Sequence, residues 1–178
     1  KGVDLTKLLY QAPARPGVAI RVTEQQNHGL DDALDHKLIK AAKPAFAKSP
    51  KPVRIAATVR NVNRTVGAML SGEVARSHGH AGLPDDTIHI ALSGTAGQSF
   101  GAWLAKGVTL ELSGMANDYV GKGISGGRII IKPDDEATYI PGENIMIGNT
   151  AFYGAITGDA YIRGVAGERF CIRNSGLL

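Results

Sequence analysis

The stretch from Leu70 to Gly127 repeats one tripeptide three times, and the predicted fold depends on it. The copies are Leu70-Ser71-Gly72, Leu92-Ser93-Gly94 and Leu112-Ser113-Gly114. Their glycines are 22 and 20 residues apart, and a further glycine follows each copy by seven residues, at Gly79, Gly101 and Gly121. A fixed period of about 20 residues is typical of a stacked repeat.

Short aliphatic and β-branched segments surround the repeat at a similar spacing. They predict strands at residues 53–57, 65–69, 87–92, 108–112, 128–131, 144–147, 160–162 and 170–172. No helix-length periodic segment separates them, which argues against strand–helix–strand units. Two-residue hairpins are also disfavoured, because the chain contains neither Asn-Gly nor Asp-Gly.

A step of about 20 residues suits one turn of a parallel β-helix built from short strands and tight corners. Neighbouring turns would stack about 4.8 Å apart, with aliphatic ladders inside. Glycine at equivalent corners would supply positive φ and room for close approach. We therefore predict an all-β fold, with a parallel β-helix (a solenoid) over residues 53–178. The loop at residues 133–142 interrupts the period and should bulge outward.

Residues 1–52 are predicted to be an N-terminal linker that contains one short helix. Residues 1–11 form a leader with three leucines that could dock one face, 11–17 a linker, and 18–23 a short strand. A helix is predicted at about residues 31–47, with Asp31 or Asp32 as its N-cap. Pro44 should kink or end it. The helix could bind a partner or cover one open end of the strands.

Composition and charge exclude several classes of protein. The 23 glycines are nearly twice the usual share of about 7%. The net charge is +4, but residues 1–54 carry +5 and residues 55–178 carry −1. A nucleic-acid surface needs a basic stripe with stacking aromatics on the folded domain, and neither is present. We therefore predict no nucleic-acid partner.

Cysteine usage and hydropathy indicate a reducing compartment. Cys171 is the only cysteine, which excludes an internal disulfide and a multi-cysteine metal or iron–sulfur site. No apolar run approaches 18 residues and no signal peptide opens the chain, so we predict no membrane association. A cytoplasmic location is the simplest prediction.

Longer motifs within residues 34–176 resemble one known family, the glycine-repeat (GXGXG) C-terminal domain of the large (alpha) subunit of glutamate synthase. These motifs are RNVNRTVG at 60–67, GLPDDTI at 82–88, GTAGQSFGA at 94–102, ANDYVGKG at 116–123 and GERFCIRNSG at 167–176, with shorter matches at 148–150 and 153–155. The resemblance implies a right-handed, single-stranded parallel β-helix without catalytic residues of its own.

In that family the domain follows the FMN-binding synthase barrel and packs against the amidotransferase and central domains. The parent oxidoreductase makes two glutamates from glutamine and 2-oxoglutarate, a step of nitrogen assimilation and glutamate biosynthesis. It uses FMN, an iron–sulfur cluster, and reduced pyridine nucleotide or ferredoxin. The resemblance therefore predicts a non-catalytic scaffold that binds no cofactor itself and holds the amidotransferase and synthase domains in register.

This sequence departs from the family in extent. It has no amidotransferase cysteine at an N-terminus, no barrel and no cluster-ligating cysteines. It also stops at Leu178, where the family pattern continues through further turns. We therefore expect an inactive fragment that is truncated at its C-terminal end.

Two other classes of function remain open. One is an independent β-helix module for binding or oligomerisation in a redox complex, since a formylmethanofuran dehydrogenase subunit shows a similar glycine pattern. Its open final turn could pair edge to edge with a symmetry mate. The other is an enzyme that uses the histidine cluster described below. We predict no catalytic, cofactor-binding or metal-binding residues in this chain.

The segment Gly121-Lys122-Gly123-Ile124-Ser125-Gly126 matches the dinucleotide fingerprint G-x-G-x-x-G. That fingerprint must end a strand and open a helix. Here it leads into a predicted strand, so we interpret it as a corner of the repeat. A phosphate loop is also excluded. Six residues separate Gly114 from Gly121-Lys122 where that motif has four, and Gly123 stands where the motif has Ser or Thr.

The remaining polar candidates are interpreted as structural. His78 and His80 could share one side of a strand, with His89, Asp85 or Asp86 completing a metal site, but a solvated polar loop is the simpler interpretation. Cys171 is predicted to be a buried hydrophobe in a strand. The other candidates are four arginines that could grip an anion or pair with acidic residues of neighbouring turns, five asparagines that could form ladders or cap corners, and two histidines without a predicted partner. They are Arg60, Arg64, Arg169, Arg173, Asn61, Asn63, Asn117, Asn149, Asn174, His28 and His36.

Overall fold

Parallel pairing organises the strands of the computed structural model, which describes residues 2–178. The seven strands are β1 (Val53–Val59), β2 (Ile88–Ala96), β3 (Val108–Ala116), β4 (Ser125–Lys132), β5 (Ile145–Ile147), β6 (Thr157–Ile162) and β7 (Val165–Ala166). They form one sheet in the order β1-β2-β3-β4-β6, and β5 pairs with β3 and β7. Every pair of these strands runs parallel.

Two α-helices and three 3₁₀ turns complete the architecture. The helices are α1 (Leu34–Ala41) and α2 (Ala68–His78), and the 3₁₀ turns are Lys43–Phe46, Gly79–Ala81 and Pro141–Glu143. The core lies between one face of the sheet, the helices and the segments that link the strands. Its largest fully buried side chains are those of Phe100 and Phe152.

The period of the last two tripeptides corresponds to the register between β2 and β3. Leu92 lies opposite Leu112, and Gly94 lies opposite Gly114. Alternate residues of both strands are buried, because successive side chains of a strand point to opposite faces. Gly114 has φ +145°, and a Cβ there would lie 1.8 Å from the Gly94 carbonyl oxygen. Only glycine fits this approach of the two strands.

The prediction of an all-β, right-handed, single-stranded parallel β-helix is wrong. The structure is an α/β fold with a seven-stranded parallel sheet and helices. The exclusion of strand–helix–strand units fails at β1-α2-β2, because α2 joins two strands that are parallel neighbours. The first tripeptide copy, Leu70-Ser71-Gly72, lies in α2 rather than in a strand.

Buried contacts explain why this copy is helical. Leu70 and Val74 are one helical turn apart on α2 and both are buried in the core. The Asp35 carboxylate of α1 accepts backbone hydrogen bonds from Gly67 at 2.9 Å and Leu70 at 3.1 Å. It therefore satisfies amide donors that a helix N-terminus leaves unpaired. Asp35 is distant in sequence, so a local search for capping residues does not find it.

Other predicted elements differ in part. Residues 65–69 enter α2, residues 170–172 form a turn, and residues 18–23 contain no strand, so these three strand predictions are wrong. The strands predicted near 53–57, 87–92, 108–112, 128–131, 144–147 and 160–162 correspond to β1 to β6. The helix predicted at 31–47 is present as α1 and the 3₁₀ turn Lys43–Phe46, which contains Pro44.

The chain divides into two units, Lys1–Leu30 and Asp31–Leu178. The first unit contains a turn in which the backbone amides of Leu8 and Leu9 donate to the Leu5 carbonyl, and an isolated bridge between Arg15 and Val18. Leu8 and Leu9 are exposed. The boundary predicted at residues 52 and 53 remains a prediction. None of the helices in the part of the chain that the structure describes has the length and hydropathy to cross a bilayer.

Candidate functional site

The densest cluster of ionisable groups lies on the face of the sheet opposite the core. We name it the ion-pair ladder, and it consists of Arg54, Asp86, His89, Glu111 and Lys132. Arg54 Nη2 lies 2.7 Å from Asp86 Oδ2. His89 Nδ1 lies 2.9 Å from Asp86 Oδ1, and its Nε2 lies 3.2 Å from Glu111 Oε2. Lys132 Nζ lies 2.9 Å from Glu111 Oε1, so the ladder crosses β1 to β4.

The parallel register brings the ladder together. Ala91 is opposite Glu111, so His89, two residues earlier, is a diagonal neighbour of Glu111. Ile130 is also opposite Glu111, which places Lys132 on the other diagonal. A second tie lies beside the ladder, where Arg128 Nη2 meets Asp159 Oδ2 at 2.9 Å across the β4–β6 pair.

These contacts shift the ionisation of both ladder carboxylates. The Lys132 ammonium, which donates to Glu111, and then His89 hold the pKa of Glu111 below its usual range. Partial burial opposes ionisation of Asp86, but hydrogen bonds from Thr109 and His89 and the charge of Arg54 outweigh it, so the pKa of Asp86 is lowered. The ladder therefore favours ionised carboxylates. An imidazole with both nitrogens protonated donates to both of them.

The space beside Asp86 is too small to hold an organic substrate. This small, half-open space, lined by Asp85, Asp86, Thr109, Arg128 and Asp159 among others, has a volume of about 20 Å³. Ligand sites usually occupy about 300–1,000 Å³. A space of this size holds a water molecule at most. The geometry fits a cross-strand tie better than acid–base catalysis.

Small side chains cover the same face of the sheet beside the ladder. We name this surface the small-residue band, and it consists of Ala56, Thr58, Ala91, Ser93 and Ser113. Ala56, Thr58, Ala91 and Ser93 are exposed. The shallow depression over the band has a volume of about 470 Å³. Within the second unit this face of the sheet is therefore uncovered.

The G-x-G-x-x-G segment forms a corner that leads into β4 rather than a helix. The Gly121 amide donates to the Phe100 carbonyl at 2.8 Å, and the Gly123 amide donates to the Tyr153 carbonyl at 2.9 Å. A phosphate-binding loop needs such amides free to face the ligand. These amides are already bonded, so the donor set of this corner does not fit a flavin or dinucleotide phosphate.

The histidine cluster is not assembled as the metal alternative required. His78 ends α2, and its Nε2 lies 3.3 Å from the Ala47 carbonyl oxygen. His80 is exposed in the 3₁₀ turn Gly79–Ala81 rather than on a strand with His78. His89 joins the ladder instead. Across residues 2–178, no group of three His, Cys, Asp or Glu side chains is arranged to hold a metal ion.

The predicted arginines are exposed, and the cysteine lies half-buried in a turn. Within the part of the chain that the structure describes, Arg60, Arg64, Arg169 and Arg173 form no ion pair, and the cross-strand pairs use Arg54 and Arg128 instead. Cys171 lies in a turn with φ +57°, so its prediction as a strand residue is wrong. Partial burial raises the pKa of its thiol.

The asparagines bond at corners. Asn117 Nδ2 donates to Asn61 Oδ1 at 3.0 Å. Asn149 Oδ1 accepts from the Glu168 amide at 2.8 Å, and Asn63 Oδ1 accepts from the Arg60 amide at 2.8 Å. Asn174 Oδ1 accepts from the Leu177 amide at 2.9 Å. The asparagines therefore cap corners, and Asn117 and Asn61 form one side-chain pair. His28 lies in the first unit and His36 in α1.

Sequence reasoning missed the ladder as a unit. It treated His89 and Asp86 as metal candidates or, more simply, as part of a solvated polar loop, and it did not consider Glu111 or Lys132. The signal was available, because Glu111 follows His89 by 22 residues, which is the 20-residue period plus two. In parallel strands that offset places two side chains on the same face as diagonal neighbours.

Comparison with known proteins identifies the class. The family model described as "GXGXG motif" matches residues 35–178, which is most of the chain. The chain belongs to this family.

Similarity to particular proteins is high along almost the whole chain. It is 49% identical over 98% of its length to "Glutamate synthase [NADH]" of Saccharomyces cerevisiae, and covers 8% of that protein. It is 46% identical over 98% of its length to "Glutamate synthase [NADPH] large chain" of Bacillus subtilis, and covers 11% of it. For "Ferredoxin-dependent glutamate synthase, chloroplastic" of Oryza sativa subsp. japonica, the values are 34%, 97% and 11%. The recognition of a glutamate synthase GXGXG domain is thus confirmed, and the chain spans about a tenth of these relatives.

Proposed function

We propose that this chain is a non-catalytic structural domain of a cytoplasmic glutamate synthase. It holds the amidotransferase domain and the FMN-binding synthase barrel of the longer protein in register, in an enzyme that forms two glutamates from glutamine and 2-oxoglutarate.

The observation that carries the proposal is the uncovered face of the parallel sheet. Parallel sheets are normally covered on both faces, and here the small-residue band is exposed. Small side chains allow another element to approach the sheet closely. Because the matched relatives are about ten times longer than this chain, the cover proposed for the band is another domain of the same polypeptide.

The cofactors of the proposed parent enzyme fit other parts of that protein better. An iron–sulfur cluster requires several cysteine ligands, and this chain contains Cys171 alone. The bonded amides of Gly121 and Gly123 leave no free cradle for an FMN phosphate at the glycine-rich corner. The chain as a whole is similar to relatives named for NADH, for NADPH and for ferredoxin. This favours the proposal that other parts of the longer protein determine the electron donor.

The first arm of the test asks whether the ladder takes part in catalysis. His89→Gln and Glu111→Gln would be introduced into the full-length protein that contains this chain. If the chain is a non-catalytic scaffold, we expect each variant to have a kcat for glutamine-dependent glutamate formation within about twofold of wild type. A fall of about 100-fold in a folded protein with normal flavin and iron content would place catalytic groups in this chain and contradict the proposal.

The second arm asks whether the band positions other domains. Ala91→Arg places a long charged side chain on the band, and Thr138→Arg in the exposed loop 133–142 is the matched control. For Ala91→Arg we expect glutamine hydrolysis to persist while coupled glutamate formation falls about tenfold or more. Thr138→Arg should resemble wild type. Normal coupling in both variants would overturn the proposed role of the band.

A further inference from the structure

A second surface on the same unit has the chemistry of a peptide-docking site. It is a groove of about 310 Å³ between α2 and the corner that follows β2, and we name it the α2 groove. Its floor on the helix side is formed by Ala68, Gly72 and Ala75. The opposite wall contains Trp103 and Lys106, and His80 closes one end. It lies apart from the ion-pair ladder and the small-residue band, with which it shares no lining residue.

Trp103 is the only tryptophan of the chain, and it is held in place although 54% of its surface is exposed. Its backbone amide donates to the Lys122 carbonyl at 2.8 Å, and the Lys122 ammonium lies 5.9 Å from the ring centroid. The indole also lies against Gly123, where an added Cβ would meet its Cδ1 at 2.9 Å. An ordered, exposed tryptophan is typical of the residues that contribute most to protein interfaces.

The charge of the groove is of one sign. His80 and Lys106 are the only ionisable side chains that line it, and Lys122 adds a positive charge beside Trp103. Neither His80 nor Lys106 has an ion-pair partner among residues 2–178. Glu73, on α2, is paired with Arg76. The groove is therefore complementary to a carboxylate, with an aromatic surface beside the basic groups.

We propose that the α2 groove binds an acidic segment of the longer polypeptide, from outside residues 1–178. One apolar side chain of that segment packs on Trp103, and an Asp or Glu pairs with Lys106 and His80. Ala68 and Ala75 on α2 are small, so the backbone of the segment can approach the helix at these two positions. This inference rests on the proposed function, because it assumes that the chain is part of a longer protein.

Gly72 offers a way to test the groove without unfolding the domain. A Cβ at Gly72 meets nothing within 4 Å, and its φ is not positive, so larger side chains fit there. A photoreactive benzoylphenylalanine would be placed at Gly72 in the full-length protein. Gly142 is the matched control, because it is also open and lacks a positive φ but lies outside the groove.

After irradiation, mass spectrometry would identify the cross-linked peptide. We expect an intramolecular cross-link from position 72 to an Asp- or Glu-containing peptide outside residues 1–178, which the Gly142 control does not give. Lys106→Glu should lower its yield about tenfold, because like charges then face each other. Higher ionic strength should lower the yield as well.

Several results would overturn the proposal. They are a cross-link only to the walls of the groove, a cross-link to a second copy of the protein, or a cross-link to a segment without carboxylates. A yield unaffected by Lys106→Glu would contradict the charge argument. The cross-linking readout is independent of activity, so the two proposals can fail separately. If position 72 gives no cross-link while Ala91→Arg abolishes coupled glutamate formation, only the proposal for the α2 groove is refuted. If the expected cross-link forms while Ala91→Arg leaves coupled glutamate formation unchanged, only the proposed role of the small-residue band is refuted.

Discussion

The same tripeptide has two structures in this molecule. In β2 and β3 the Leu-Ser-Gly copies lie side by side, and Gly94 and Gly114 have φ of +121° and +145°. In α2 the copy is helical, and the Gly72 position opens onto free space. Ser71 is buried there, and its hydroxyl donates to the Gly67 carbonyl at 2.7 Å and accepts from the Ala105 amide at 3.1 Å. In all three copies the leucine is in the core.

The comparison separates what the leucine requires from what the glycine requires. A leucine can be buried from a strand or from a helix, so it does not select either one. The glycines of β2 and β3 are required because a neighbouring backbone occupies the place of a side chain. The glycine of α2 has no such neighbour. Substitution of glycine should therefore have opposite effects in the two regions.

The largest effect should come from Gly114→Ala. The new Cβ would lie 1.8 Å from the Gly94 carbonyl oxygen, at a φ that alanine rarely adopts. We expect a loss of about 4 kcal/mol or more in the free energy of unfolding, or no folded protein. Urea denaturation followed by circular dichroism would measure it.

The matched control is Gly72→Ala, which we expect to stabilise α2 by about 1 kcal/mol. If both variants lost similar stability, or if Gly114→Ala were as stable as wild type, the distinction between the two regions would not hold.

The next effect should come from Asp35→Ala, which tests why the α2 copy is helical. Asp35 is buried, and its removal leaves the amides of Gly67 and Leu70 without their acceptor. We expect a loss of about 1–3 kcal/mol, measured by urea denaturation. Asp35→Asn keeps one acceptor oxygen and should lose less. Equal losses in both variants would show that the charge of the carboxylate, rather than its hydrogen bonds, holds α2.

The smallest effect should be a difference in pH dependence between the two regions. The pKa values of Asp86 and Glu111 are lowered, so their contribution to stability is present above their usual pKa and disappears as pH falls through the lowered values. Burial raises the pKa of Asp35 despite its amide hydrogen bonds, so the part of its contribution that depends on protonation is present below its usual pKa and is lost as pH rises through the raised value. The amide hydrogen bonds to Gly67 and Leu70 do not depend on that proton.

Urea midpoints between about pH 3 and pH 6 would separate these contributions. Glu111→Gln should flatten the rise of stability with pH, and Asp35→Asn should steepen it. Slopes that change in the same direction in both variants would contradict the opposite signs assigned to the sheet and the helix cap.

Much of the strand content could be predicted, because β4 and the first part of β2 alternate buried residues with more exposed ones. The 20-residue period also anticipated which residues of β2 and β3 are opposite each other. The candidate site was harder to predict. His89 was a candidate metal ligand in the sequence, because residue types alone do not show that His89 meets Glu111.

Residues 65–78 show the limit of pattern recognition. Their Leu-Ser-Gly copy continues the period of the repeat, and this periodicity outweighed the helical spacing of Leu70 and Val74 in the prediction. The decisive contact comes from Asp35, which precedes Gly67 by 32 residues. In contacts of that kind, a side chain far away in the sequence accepts hydrogen bonds from the backbone amides. Local helix or strand propensities therefore do not predict them.

The sequence by itself determined the membership of the family, the position of six strands and the spacing that brings equivalent residues into register. Local sequence is sufficient for these features. The alternation of apolar and polar residues, the positions of the glycines and the residues of each motif are all properties of short stretches of the chain. Only the tertiary structure decided that the first repeat copy is a helix, that the fold is α/β, and that a ladder and a groove lie on its surface. These depend on buried hydrogen bonds, on side chains that meet across strands, and on the space left between elements. All three arise only when distant parts of the chain pack together.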